Sequence, residues 1–224
     1  ENGDIIVDAM FQDDFSANAT LVDVFNPEGR FGGGTYKRYT IPLSTGSVRE
    51  DVVNDRESEF PTFNNEFTGI RQDHTYTACS IDNGANGFFN AFQKVNFDGN
   101  SELITLPQGF YGSEPLFAKK VNAKKEDDGY LLNVVFFIGS IIFKNMLKVL
   151  SGWKSISDQV TYDPKIPMKV VCVRLEDLSI AKEIQLDHGA IIHFGNAFEE
   201  NGDIIVDAMF QDDFSANATL VDVF

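Results

Sequence analysis

Short runs of alternating apolar and polar residues dominate the chain, and turn-forming residues separate them. The turns include Asn201-Gly202 and Asp98-Gly99, which favour hairpins. Each run is rich in β-branched or aromatic residues and predicts one strand. The predicted strands are 35–41, 88–97, 102–106, 130–138, 169–175, 181–186, 203–210 and 218–224. Short strands at this spacing predict an all-β fold, either a sandwich, a barrel or a propeller.

One segment departs from the strand pattern. Between residues 141 and 160, apolar side chains recur at helical spacing from Ile142 through Leu150 to Trp153, with lysines between them. The spacing predicts an amphipathic helix. It either packs on the sheet or, as part of the basic apolar stretch 136–154, makes a peripheral contact with a membrane surface.

The chain contains an internal duplication. Residues 1–25 recur without a change as residues 200–224. The offset is far longer than the roughly 20 to 50 residues of solenoid and propeller repeats, so the copies are not fold units. Because the copies prefer the same neighbours, we expect one of them to be misplaced, frayed or paired with a second molecule. Strand exchange in a homo-oligomer is the natural form of such pairing.

Composition and charge narrow the functional classes. The chain has 224 residues, 34 acidic and 18 basic side chains, a net charge of -16 and 43% hydrophobic residues, which predicts one or two globular domains. The chain lacks the Lys/Arg stripe that a nucleic-acid partner requires. Cys79 and Cys172 stand far apart, so we expect two buried, reduced thiols and a cytoplasmic protein. No apolar run reaches the roughly 20 residues of a membrane-spanning helix.

The common catalytic motifs are missing. The sequence contains three histidines and no GxSxG, HExxH or GxxxxGK[ST] motif, so hydrolase and nucleotide-binding sites have no signature here. Carboxylates are too numerous in this acidic chain for a pair of them to indicate a glycosidase.

Four stretches together resemble a known family. They are HFGNAFEE (193–200), SEFPTFN (58–64), the pair GSEPLF (112–117) with EDDGYLL (126–132), and the segment 146–173. The chain resembles the carotenoid cleavage oxygenases, which include lignostilbene dioxygenases and relatives of the retinal-pigment isomerase. Family order would run 136–224 and then 26–135, so the resemblance implies one permuted region spanning 1–224, with a seam near Val135.

The resemblance implies a fold, a cofactor and a reaction. The fold is part of a seven-bladed β-propeller, and the cofactor is Fe(II) held by four neutral imidazoles. The reaction is the O2-dependent cleavage of one C=C bond of an apolar carotenoid, apocarotenoid or stilbene-like polyene. His193 takes the place of an iron ligand. Glu59 and Glu114 take the places of carboxylates that accept the N–H of ligand histidines and so orient their rings.

The resemblance is incomplete at the iron site. Three of the four ligands have no matching histidine, because His74 and His188 lie outside the motif positions and are expected to be structural. Two hypotheses follow: a dioxygenase-like enzyme, or a catalytically incomplete propeller fragment that acts as a structural or binding module.

Overall fold

The computed structural model describes residues 3–12, 33–81, 89–137, 141–143, 160–162, 165, 167–186 and 190–211. Strands account for most of these residues. They are β1 (Asp4–Phe11), β2 (Gly34–Pro42), β3 (Arg49–Thr62), β4 (His74–Cys79), β5 (Ala91–Asn96), β6 (Ser101–Thr105), β7 (Phe110–Gly112), β8 (Leu116–Lys119), β9 (Gly129–Phe137), β10 (Ile141–Phe143), β11 (Val160–Tyr162), β12 (Lys169–Arg174), β13 (Ile180–Gln185), β14 (Ala190–Glu200) and β15 (Asp203–Gln211). A single 3-10 turn, Asn65–Phe67, stands between β3 and β4.

Two sheets contain nearly all of these strands. Sheet A is a purely antiparallel meander in the order β1-β2-β3-β4-β5-β6. Sheet B has the order β13-β12-β9-β8-β14-β15, and β7 also pairs with β9. In sheet B only the contact of β14 with β8 is parallel, at Phe198 and Lys119. The order of sheet A follows the chain, and short connections join β2 to β3 and β5 to β6.

The two sheets share one hydrophobic core. Tyr76 and Phe92 of sheet A pack in the same buried cluster as Phe117, Leu131 and Val171 of sheet B. The rings of Tyr76 and Phe117 stack across the interface, with centroids 5.8 Å apart. Burial of aromatic and branched side chains from both sheets is the main force that holds them together. A second cluster, which includes Leu132, Val134 and Cys172, buries further apolar side chains of sheet B.

The Glu126-Asp127-Asp128 turn before β9 adds polar contacts between the sheets. The Glu126 carboxylate accepts hydrogen bonds from the backbone N–H groups of Asp73 and His74 at the start of β4, at 2.7 to 2.9 Å. Asp127 accepts a 2.7 Å hydrogen bond from Lys94 of β5. Asp128 instead closes its own turn. Two of the three acidic side chains in this motif therefore join sheet B to sheet A.

The strand predictions agree with the described structure wherever it covers them. Seven of the eight predicted segments overlap strands β2, β5, β6, β9, β12, β13 and β15. The eighth, 218–224, lies outside the described residues. The predicted Asn201-Gly202 turn is a two-residue hairpin loop in which both residues have positive φ, 53° and 88°. That combination is a type I′ turn, which suits Asn-Gly.

The structure contradicts the helix predicted over 141–160 at both of its ends. Ile141–Phe143 and Val160–Tyr162 are extended and pair with each other as antiparallel strands. These ends are rich in β-branched and aromatic residues, which pack well on a pleated surface and lose side-chain freedom in a helix. Residues 144–159 lie outside the described residues. Within the described ranges, no helix is long and apolar enough to cross a bilayer.

The expectation that one copy of the duplicated segment is misplaced or frayed is wrong for its described part, whereas pairing with a second molecule stays a prediction. Residues 4–11 pair with β2, whereas the identical residues 203–210 belong to β15, which pairs with β14. Within this chain, each copy therefore has a different neighbour. Residues 13–25 and 212–224 lie outside the described residues.

Candidate metal-binding site at His193

His193 lies in an irregular part of β14. The pairing register of β14 with β15 shifts between Ile191 and Phe194 and again between Phe194 and Asn196, so His193 occupies a bulge. A bulge leaves a residue out of the ladder and changes the direction of its side chain. The His193 side chain is 67% exposed.

Glu114 is held by the residues on either side of it. The Ser113 backbone N–H bonds to the carbonyl of Val134 at 3.0 Å, and its carbonyl accepts from the buried Asn133 side chain at 2.8 Å. Pro115 is fully buried. Because the residues on both sides are held in place, the Glu114 backbone has little conformational freedom. Such a backbone suits a carboxylate that orients another side chain.

Gly112 begins this motif because there is no room for a side chain. A Cβ at residue 112 would overlap the ring of Phe92 and lie 2.9 Å from the Asn133 side-chain oxygen. The glycine therefore allows Phe92 of sheet A to reach the end of β7 in sheet B.

The structure brings His193 and Glu114 together from positions 79 residues apart. The Nδ1 of His193 lies 3.1 Å from Oε2 of Glu114. An ionised carboxylate only accepts hydrogen bonds, so Nδ1 carries the proton and donates. In the neutral ring, Nε2 then has a free lone pair and is the atom able to bind a metal.

Glu59 does not join this pair. It lies in β3 of sheet A, where its carboxylate accepts a 2.9 Å hydrogen bond from the Gln12 side chain. The next residue, Phe60, has a positive φ of 55°, and the register of β3 with β4 shifts between Glu59 and Thr62. The SEFP motif is thus a bulge in sheet A.

The other two histidines are separate from the pair. His74 starts β4, and its Nδ1 is buried 3.9 Å from the Glu126 carboxylate, a distance too long for a hydrogen bond. His188 lies outside the described residues. So does most of the segment 136–154, and its membrane contact stays a prediction.

The described residues do not fit a complete four-imidazole iron site. Among them, no group of three or more His, Cys, Asp and Glu side chains converges on a position where a metal could bind. His193 and Glu114 supply one oriented imidazole and its carboxylate partner. One imidazole holds ferrous iron weakly, so further ligands are required.

A cavity of about 960 Å³ lies elsewhere, against β1, β2 and β3 of sheet A. Its lining contains none of the three predicted site residues. It includes Phe97, whose ring lies 3.8 Å from the guanidinium of Arg38 and 3.7 Å from that of Arg71. These arginine–aromatic contacts stabilise the wall of the cavity.

A family model matches more than half of the chain. The model of the retinal pigment epithelial membrane protein, RPE65, matches residues 1–138. The chain belongs to this family. The match includes both the SEFP and the GSEP motifs, so the family resemblance seen in the sequence is confirmed.

Two curated relatives support the assignment. The chain is 27% identical over 145 residues to apocarotenoid-15,15'-oxygenase of Synechocystis, covering 61% of this chain and 28% of the relative. It is 28% identical over 118 residues to a carotenoid cleavage oxygenase of Mycobacterium tuberculosis, covering 49% and 24%. The chain therefore spans roughly a quarter of each relative.

Solved structures show the same fold. Cobalt-substituted Synechocystis apocarotenoid oxygenase, ACO, matches 84% of this chain and 35% of its own length, with a TM-score of 0.64 and 18% identity. An ACO/RPE65 chimera matches equally large shares with a TM-score of 0.60 and 20% identity. The predicted all-β, partial β-propeller is confirmed. The permuted order of the segments stays a prediction.

Some residues that build the site have no motif to identify them. Asn133 clamps Ser113 from within β9, but an Asn in an apolar strand is not by itself a functional signal. Glu199 accepts a 2.7 Å hydrogen bond from the backbone N–H of Val121 and so ties β14 to the end of β8. Its position in the NAFEE motif was visible in the sequence, although its partner was not.

Proposed function

We propose that this chain is an oxygenase-type module that contributes His193, oriented by Glu114, as one ligand of a ferrous iron site. The activity of the completed site is the O2-dependent cleavage of a C=C bond in a carotenoid, apocarotenoid or stilbene-like polyene. Membership of the family supports the reaction class. The 3.1 Å contact between His193 and Glu114 is the observation that carries the proposal.

The contact does two things that a metal ligand needs. It holds the proton on Nδ1 and leaves Nε2 as the coordinating atom. It also fixes the direction of an imidazole that is otherwise exposed. Iron, when bound, supplies the site for O2, while these two side chains orient one coordinating nitrogen.

The remaining ligands must come from outside the described set. Relatives named as oxygenases are far longer than this chain, and this chain matches 28% of one and 24% of another. We propose that a second copy of this chain completes the site, so that the purified chain is sufficient to bind iron. We also propose a cytoplasmic location for the assembly, in keeping with its two free, buried cysteines.

Iron content tests the proposal directly. The chain would be purified without oxygen, and iron per chain would be measured for the wild type, His193→Ala and Glu114→Gln, with the mass in solution recorded on the same samples. Glu176→Gln is the control, since Glu176 is exposed and carries the same charge change. We expect His193→Ala to abolish stoichiometric iron, Glu114→Gln to weaken binding about 10–100-fold, and the control to match the wild type.

A second candidate function is a structural or binding module without catalysis. The lack of a three-group metal cluster among the described residues favours it. Folded protein without iron, or with loosely bound iron that is indifferent to His193→Ala, would support this module and rule out the oxygenase proposal. Where iron is stoichiometric, cleavage of an apocarotenoid into two carbonyl products is the next assay.

A further inference from the structure

The two copies of the duplicated strand, β1 and β15, pair with their neighbours through opposite hydrogen-bonding edges. In the hairpin of β14 and β15, a two-residue turn makes Glu200 and Asp203 a hydrogen-bonded pair, so Asp203 directs its backbone N–H and C=O toward β14. In β1 the equivalent residue, Asp4, lies opposite Pro42. Pro42 has no N–H, and its carbonyl accepts from Thr45 and Gly46 instead. Asp4 therefore directs its backbone groups away from β2.

In an antiparallel pair, successive residues alternate between directing their backbone groups toward the partner strand and away from it. The difference between Asp4 and Asp203 therefore applies to every residue along the two strands. In β1, the residues bonded to β2 are Ile5, Val7, Ala9 and Phe11. Their equivalents in β15 are Ile204, Val206, Ala208 and Phe210, whose backbone groups point away from β14. Within the described ranges both β1 and β15 are edge strands. Each copy thus directs toward its neighbour the edge that the other copy directs away.

Side chains show the same complementarity. In β1, the Asp8 carboxylate forms a two-bonded ion pair with Arg38 of β2 at 2.8 and 2.9 Å and accepts from Tyr36 at 3.0 Å. The equivalent Asp207 in β15 is exposed, and no described residue forms an ion pair or a hydrogen bond with its carboxylate. Asp207 of β15 is therefore the group that Arg38 and Tyr36 of β2 could bind, and no described residue binds it in β15.

We propose that β15 of one molecule pairs with β2 of a second copy of this chain and displaces β1. The β14–β15 hairpin then continues sheet A of the second copy in the order β14-β15-β2-β3. Contacts with β2 are replaced one for one because the sequences are identical. The outer edge of β15 gains a partner, and the displaced β1 regains its conformational freedom.

The exposed side chains of β15 are also consistent with a second copy of this chain as the partner. Met209 is 65% exposed in β15, whereas its equivalent Met10 is half-buried; Phe210 is 45% exposed, close to the 39% of its equivalent Phe11. Their equivalents in β1 have partners on the neighbouring strands: Met10 with the Ser58 hydroxyl at 3.5 Å, and Phe11 beneath the Lys37 ammonium at 3.9 Å. A second copy offers these partners to β15.

A matched pair of substitutions tests the exchange. Asp8→Asn and Asp207→Asn make the same change of charge in the same local sequence. Asp8→Asn weakens β1 on β2, so it should lower the concentration at which dimers or larger assemblies form by about tenfold, because a charge-assisted pair contributes on the order of one factor of ten. Asp207→Asn should raise that concentration by a similar factor. The mass in solution against concentration is the measurement.

Cross-linking between different molecules provides the second test. Ile6 and Thr40 are register partners, so Ile205 would lie opposite Thr40 after exchange. A chain with Thr40→Cys would be mixed with a differently tagged chain carrying Ile205→Cys and then mildly oxidised. The native thiols are buried and do not compete. We expect a disulfide between the two tags, and reduced amounts of it when Asp207→Asn is added.

Three results would overturn the proposal. The first is an equal effect of the two asparagine substitutions, which would reflect net charge alone. The second is a monomeric mass for Asp8→Asn at every concentration, because no second molecule would then be paired with β2. The third is the absence of a disulfide between differently tagged chains.

Discussion

The ammonium group of Lys94 lies 2.7 Å from the carboxylate of Asp127 and joins β5 of sheet A to the turn before β9 of sheet B. Both side chains are largely buried, with exposures of 10% and 22%. Lys94 also donates to the backbone carbonyl of Leu175 at 3.3 Å. A single side chain of sheet A thereby contacts two segments that flank sheet B.

Replacement of Asp127 by Asn should destabilise the fold. Lys94 would keep its charge in a nearly buried position without an anionic partner, at an expected cost of about 1–3 kcal/mol in the free energy of unfolding. Urea denaturation measures the change. Glu200→Gln is the control, because Glu200 is exposed at the end of β14 and its loss of charge should leave stability within about 0.5 kcal/mol of the wild type.

The effect of Asp127→Asn should depend on pH. Burial raises the pKa of Asp127, but the hydrogen bond and charge of Lys94 outweigh it, and the pKa lies below its ordinary value. A lowered pKa means that the carboxylate stabilises the fold above its unfolded pKa of about 3.9, and that this contribution is lost as pH falls through the folded pKa. The difference in stability between wild type and Asp127→Asn should therefore shrink below about pH 4. A constant difference from pH 7 to pH 2 would contradict this assignment.

Replacement of Gly112 by Ala should damage the contact between the sheets. The added methyl group would overlap the Phe92 ring, and such overpacking costs roughly 1–3 kcal/mol. Gly195→Ala is a matched control in β14. Its Cβ would lie 3.5 Å from the Cβ of Asp207, an ordinary contact, so stability should be kept or gain up to about 1 kcal/mol. The thermal unfolding temperatures of the two variants, measured under the same conditions, test this prediction.

The two cysteines should resist alkylation in the folded protein. Burial raises the pKa of the Cys79 thiol to about 12 and that of Cys172 to about 11, against the smaller opposing effect of nearby basic side chains. Because the thiolate is the reactive form, labelling by iodoacetamide at pH 8 should be more than about a hundredfold slower than in urea. Mass spectrometry measures the labelling. Rapid modification of either thiol without denaturant would show that its site opens.

Asn133→Leu should release Glu114. The leucine fills similar volume but cannot bond to the Ser113 carbonyl, and a buried acceptor left without a donor costs about 1–3 kcal/mol. With Ser113 less constrained, the Glu114 carboxylate should hold His193 in one tautomer less completely. Imidazole ¹⁵N chemical shifts report the tautomer. Asn65→Leu, at an exposed position, should leave both the stability and the His193 shifts unchanged.

Much of the fold follows from local pattern, whereas the site does not. Strand β9 is predicted by its run of apolar residues, and the turn at Asn201-Gly202 by the demand of a type I′ loop for positive φ. The contact of His193 with Glu114 depends on a bulge in β14 and on the clamp from Asn133. Neither has a local signature, because both arise from residues far apart along the chain.

The repeated segment separates what the sequence determines from what the tertiary structure decides. Its alternation of apolar and polar residues makes residues 4–11 and 203–210 strands in both places, since that preference is local. The neighbour of each copy is set by the chain that precedes or follows it: the two-residue turn ties β15 to β14, and β1 pairs with β2. A strand has two hydrogen-bonding edges of equal chemistry, so only the arrangement of the whole molecule chooses between them.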